Sequence, residues 1–72
     1  MTTHELAAEI KRVRKQLNVT QEQLALTAGT GLRFVIDLEK GKPTCQIGKV
    51  LAVLETLGIR LTLQATGLPS EE

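Results

Sequence analysis

The stretch from Thr20 to Gly41, TQEQLALTAGTGLRFVIDLEKG, constrains this chain more than any other. Thr20 with Gln23 three residues on has the spacing of a capping box, in which each residue satisfies the other's free backbone N–H. Leu24 and Ala28, with Ala25 beside them, lay an apolar stripe along the helix that begins there. Gly29 ends it as a left-handed cap, a conformation that glycine adopts without steric cost. A second helix is expected from about Gly31 to Lys40, closed by Gly41. Helix, short glycine-containing turn and helix form the helix-turn-helix layout, whose second helix commonly enters the DNA major groove. A plain helical hairpin inside a small bundle has the same local pattern, so these residues alone leave both open.

The remaining segments supply a frame. Thr2 and Glu5 repeat the capping-box spacing, and Leu6, Ile10, Val13 and Leu17 recur as one helical face, predicting a first helix from about Thr3 to Leu17. Lys11, Arg12 and Lys15 lie off that stripe, and His4 falls in the first turn as an expected surface residue. In the third helix Val35 and Leu38 face inward with Phe34 beside them, leaving an outward arc of Leu32, Arg33, Ile36, Asp37 and Lys40. Two large aliphatics on such an arc point to contact with something. After the loop Gly41–Thr44, a fourth helix is expected from about Gln46 to Leu57, starting at Thr44 or Cys45 and burying Ile47, Val50, Leu51, Leu54 and Leu57. Gly48 within it is expected to mark a close helix contact, and Gly58 to stop it. Beyond Gly58 the period becomes two: Ile59, Leu61 and Leu63 alternate with Arg60, Thr62 and Gln64, as in a half-buried strand. No other segment reads as strand. Its expected partner is the same strand of a second subunit, making a homodimer through Ile59, Leu61 and Leu63.

Composition closes several alternatives. With 72 residues, the chain holds one domain with a small core that benefits from a partner subunit. Residues 1–64 are read as the DNA-binding and dimerisation domain and 65–72 as a flexible C-terminal tail. The one cysteine permits neither an internal disulfide nor a four-cysteine metal site, and no metal or cofactor is expected. No apolar run approaches the roughly 18 residues of a membrane span, and the N-terminus lacks a signal peptide's apolar stretch, so a cytoplasmic, nucleoid-associated setting without membrane contact is expected. The net charge is +1, but Glu71 and Glu72 lie at the extreme C-terminus, and without them the body carries +3. That suits a modestly basic face rather than a generic polycation. Phe34 is the only aromatic residue, whereas single-strand binders stack bases on several, so duplex DNA is the expected nucleic acid. Nothing resembles a Ser-His-Asp set or a phosphate-binding glycine loop, and an enzyme is not expected.

Gln21-x-x-Leu24-Ala25, Gly29 and Glu39-x-Gly41 resemble the helix-turn-helix family of the lambda repressor and Cro. The run LRFVIDLEKGKPTCQIGKVLAVLETLGIRLTL, Leu32 to Leu63, resembles HipB-type antitoxins more closely. The resemblance implies a mainly α, lambda repressor-like bundle of four to five helices, with a C-terminal β-strand shared across a homodimer. It implies a repressor that binds inverted repeats in its own promoter and holds inactive a HipA-like Ser/Thr kinase toxin. Gln21 matches a residue that contacts the DNA backbone, and Lys42 and Thr44 match a loop that touches phosphate. Gly31, Leu32, Arg33 and Ile36 match base-reading positions, and Arg14 and Glu39 match an ion pair tying the first helix to the third. This chain departs from the pattern: Gly31 stands where Ser often caps the recognition helix, Leu32 and Ile36 replace polar readers, and Asp37 brings a negative charge near the phosphates.

These residues suggest a division of labour. Gln21, Arg33, Lys40, Lys42 and Thr44 are candidates for phosphate contacts, with Lys49 more peripheral. Arg33 can also read guanine, Leu32 or Ile36 can pack on thymine methyls, and Asp37 can accept from cytosine or serve structurally. Two alternatives remain: a free-standing helix-turn-helix repressor without a toxin, and a protein-interaction module with little DNA binding.

Overall fold

The computed structural model describes residues 1–67, so most of the expected tail, residues 68–72, lies outside the described residues. Four helices follow one another: α1 Thr3–Gln16, α2 Gln21–Ala28, α3 Leu32–Glu39 and α4 Ile47–Thr56. Both capping boxes are present. The Thr2 hydroxyl accepts from the Glu5 N–H while the Glu5 carboxylate accepts from the Thr2 N–H, and Thr20 and Gln23 do the same. The helix ends share one device. A residue with positive φ (Asn18, Gly29, Gly41 or Gly58) follows the last turn, and it and its successor donate backward to helix carbonyls. At the end of α4, for example, Ile59 N–H donates to the Leu54 carbonyl at 2.9 Å and Gly58 N–H to Glu55 at 3.1 Å. These paired bonds satisfy carbonyls that the helix leaves free, and they turn the chain sharply.

The helices enclose one core: Ile10 from α1, Leu24 and Ala25 from α2, Val35 and Leu38 from α3, and Val50, Val53 and Leu54 from α4 with Leu57 at its end. Val13, Val19, Phe34, Cys45 and Ile59 pack against its margin. α2 packs on both α3 and α4, and α1 on α3.

Several expectations change. Leu17 is exposed, and the buried positions of α1 are Ala7, Ile10 and Arg14. In α4 the inward face includes Val53, fully buried, while Ile47 and Leu51 are 66% and 46% exposed. That helix is apolar on most sides, so its own periodicity does not select one face. α4 begins with Gln46 as N-cap rather than at Thr44 or Cys45. Gly48 marks no close contact: a Cβ there would meet nothing within 4 Å. Residues 59–64 form no strand among the described residues. A strand is defined by bonds to a neighbour, and the described residues hold no second extended segment to offer one.

Candidate nucleic-acid interface

The outer side of α3 combines local helix geometry with two tertiary ties. Val35 and Leu38 anchor the inner face, so residues three and four apart on the other side fall into rows. Leu32, Ile36 and Lys40 make one row, and Arg33 and Asp37 the next. Arg33 is well exposed, its side chain 76% accessible, while Leu32 is moderately exposed and Ile36 half-buried. Gly31 precedes the helix as an extended N-cap without a side-chain cap bond. The first amides of α3 therefore have no protein side chain covering them, which leaves their partial positive charge directed outward.

The first tie is the Arg14–Glu39 pair. Arg14 Nε donates to Glu39 Oε2 at 2.6 Å and Nη2 to Oε1 at 3.0 Å, a two-pronged contact between α1 and the end of α3. Arg14 Nη1 also donates to the Val19 carbonyl at 2.8 Å. Both side chains are deeply covered, at 10% and 3% exposure. Gln21 joins them, its Nε2 donating to Glu39 Oε1 at 3.1 Å. One carboxylate thus fixes the start of α2 against the end of α3, and one end of the Gln21 amide is already engaged.

The second tie is Asp37. Its Oδ1 lies 3.2 Å from Arg33 Nε and its Oδ2 3.7 Å from Lys42 Nζ, at 20% side-chain exposure. The Lys42 N–H also donates to the Asp37 carbonyl at 3.1 Å, which fastens the loop to the last turn of α3. Thus Gln21 is linked to Glu39, and Arg33 and Lys42 are linked to Asp37. Lys40 is exposed as the C-cap of α3, and Thr44 is exposed on the loop. Lys49 stands apart, its Nζ 5.8 Å from the centre of the Phe34 ring. The sequence does carry a signal for Arg33–Asp37, opposite charges four apart on a helix. The role of Asp37 as a bridge to Lys42 has no such local signature.

A separate apolar region lies around the end of α4. Leu51, Leu54, Gly58, Ile59 and Leu61, with the charged Glu55 and Arg60, border an open groove of about 470 Å³. Ile59 packs against the core, Leu61 is 40% exposed and Leu63 is 90% exposed. No group of three or more potential metal-binding side chains occurs among the described residues, and no helix there is long and apolar enough to cross a membrane.

Residues 7–67 match the model of a helix-turn-helix domain family. An uncharacterized HTH-type transcriptional regulator, y4mF, of Sinorhizobium fredii is 53% identical over 66 residues, covering 92% of this chain and 87% of that protein. Among solved structures, HipB in a HipA-HipB-O2-O3 complex is similar with a TM-score of 0.83 at 25% identity, covering 93% of this chain and 94% of the other. HipB in a complex with an O4 20mer matches equally in TM-score, 0.83, at 24% identity, covering 93% of this chain and 94% of the other.

Proposed function

The chain belongs to the helix-turn-helix domain family, and on that premise we propose that it is a sequence-specific repressor of double-stranded DNA, acting as a HipB-like antitoxin. The observation that carries the DNA-binding part is the outer side of α3: a helix buried along Val35 and Leu38 presents Arg33 and Lys40 outward and is tied through side chains to Gln21 and Lys42. Gln21, Lys40, Lys42 and Thr44 contact phosphates and set register, and the uncovered amides after Gly31 add a further anion contact. Gly31, Leu32, Arg33 and Ile36 approach the bases. Arg33 forms a bidentate bond to guanine, and the two aliphatics pack on thymine methyls.

Residues 1–64 form the DNA-binding and dimerisation domain. The protein acts as a homodimer in which Ile59, Leu61 and Leu63 pair with the same segment of a second copy. The exposed Ile47, Leu51, Leu61 and Leu63 support this, since pairing gives both the apolar surface and the free backbone groups a partner. Two copies of α3 then read the halves of an inverted repeat about 34–36 Å apart. In the antitoxin role the protein represses its own operon and holds a HipA-like Ser/Thr kinase toxin inactive, working in the cytoplasm at the nucleoid. The likeness to a HipB chain in complex with HipA supports that part of the reading.

Mobility-shift titration against duplexes carrying the promoter of its own operon tests the DNA role. The expected result is tight binding to an inverted repeat that weakens steeply with salt. Binding to no duplex, or binding indifferent to salt, would leave a protein-interaction module instead. Co-purification with a kinase encoded in the adjoining reading frame tests the antitoxin role, and a repressor that binds its operator with no such partner is free-standing.

A further inference from the structure

Asp37 is the one acidic side chain on the outward arc of α3, and a carboxylate near DNA phosphates opposes binding. Its two oxygens nevertheless face two of the cations assigned to DNA, Arg33 on its own helix and Lys42 on the following loop. The bridge costs the fold little to lose, because the Asp37 backbone carbonyl, not the carboxylate, accepts the Lys40 and Lys42 amides that end the helix. We propose that Asp37 is a specificity-determining residue, which holds Arg33 and Lys42 back from indiscriminate phosphate contact and positions Arg33 for base reading. This rests on the DNA-binding reading above.

Two bound states make different demands on Asp37. On arbitrary duplex, affinity comes from neutralising phosphates, and flexible cations contribute by moving to the nearest one. Arg33 or Lys42 can do so here only by leaving Asp37, which then keeps a single cation to offset its charge beside the phosphates. On the correct site, Arg33 can remain beside Asp37 through Nε while its two terminal nitrogens address a guanine edge. The carboxylate therefore burdens the wrong complex more than the right one, which is how specificity arises from an unfavourable element. The half-covered position of Asp37 strengthens the effect, since water screens its charge less than that of a fully exposed group.

The test uses Asp37→Asn, with Asp37→Ala as a second variant that also suits a helix. Two probes are needed: a random-sequence duplex, and a duplex enriched by the wild-type protein from a random library. The variants should bind the random duplex roughly three- to tenfold more tightly at moderate salt, with the slope of log K against log salt steeper by about 0.9 for each released cation. The ratio of affinities for enriched over random duplex should fall. In an Arg33→Ala background, removing Asp37 should no longer change that ratio, and the slope should respond to Lys42 alone. Unchanged slope and ratio, or equal weakening on both probes, would overturn the assignment while leaving DNA binding intact. Failure of the wild-type protein to bind any duplex in a salt-dependent way would overturn the DNA-binding reading and this assignment together.

Discussion

Replacing Arg14 by Met tests whether the pair between α1 and the end of α3 holds the fold together. The substitution keeps much of the side-chain volume but removes every donor that Arg14 directs to Glu39 and to the Val19 carbonyl. Glu39, 3% exposed, would retain only the Gln21 amide at 3.1 Å. Stranding one partner of a buried pair costs about 3–5 kcal/mol. A folded chain of this length has only about 4–11 kcal/mol in total. Arg14→Met should therefore lose about a quarter or more of the stability, and each kcal/mol should lower Tm by about 4–8 °C. Glu39→Gln keeps an acceptor for one Arg14 N–H and should cost less, about 1.5–3 kcal/mol. The comparison is Arg12–Glu9, which has the same 2.6 Å separation but lies in solvent with both side chains about half exposed. There the Arg12 guanidinium holds the Glu9 carboxyl below its usual range through a hydrogen bond, yet a surface pair contributes little to stability. Arg12→Met should leave the unfolding curve nearly unchanged. Urea unfolding followed by far-UV circular dichroism, at one fixed protein concentration so that self-association of any kind does not shift the midpoint, measures all three. A cost for Arg14→Met below about 1 kcal/mol, the range of a surface pair, would refute the reasoning from burial.

Three further expectations concern backbone and surface. Gly41→Ala should destabilise by about 1–2 kcal/mol, because the residue sits at φ +86° and a Cβ there would lie 2.5 Å from His4 Nδ1. Combining it with His4→Ala should relieve the contact but not the backbone strain, and full recovery in the thermal melt of the double variant would contradict that division. Gly48→Ala and Gly31→Ser both point the other way: neither Cβ meets an atom within 4 Å, so the first should gain up to about 1 kcal/mol of helix propensity and the second a few tenths through a proper cap. A lowered Tm for either would be the opposite of what the space around them requires. Leu63→Asp should convert a dimer to monomer without loss of helix, since two copies of this side chain would forgo about 3–6 kcal/mol of burial. Sedimentation equilibrium showing an unchanged dimer mass would remove residues 59–64 from the interface.

Apart from the start of α4, which has no side-chain cap, the boundaries of the helices were legible in the chain because their causes are local. Thr2 and Glu5, Thr20 and Gln23, Gly29, Gly41 and Gly58 act within a turn of themselves, and each occupies the expected cap or stop. The inward positions of α3 were legible too, since Val35 and Leu38 stand out against Arg33, Asp37 and Lys40. In α4, by contrast, almost every side offers an aliphatic residue, and only packing into the shared core selects Val53 over Ile47 and Leu51. The candidate interface divides in the same way. Its members on α3 follow from helical spacing, and the Arg14–Glu39 contact was foreseen only through resemblance, because its partners are 25 residues apart. What the tertiary structure alone decided is how those members are held: Gln21 by Glu39, and Lys42 by Asp37. Capping and periodicity depend on neighbours along the chain, whereas a charge pair between a helix and a loop depends on where packing brings them together.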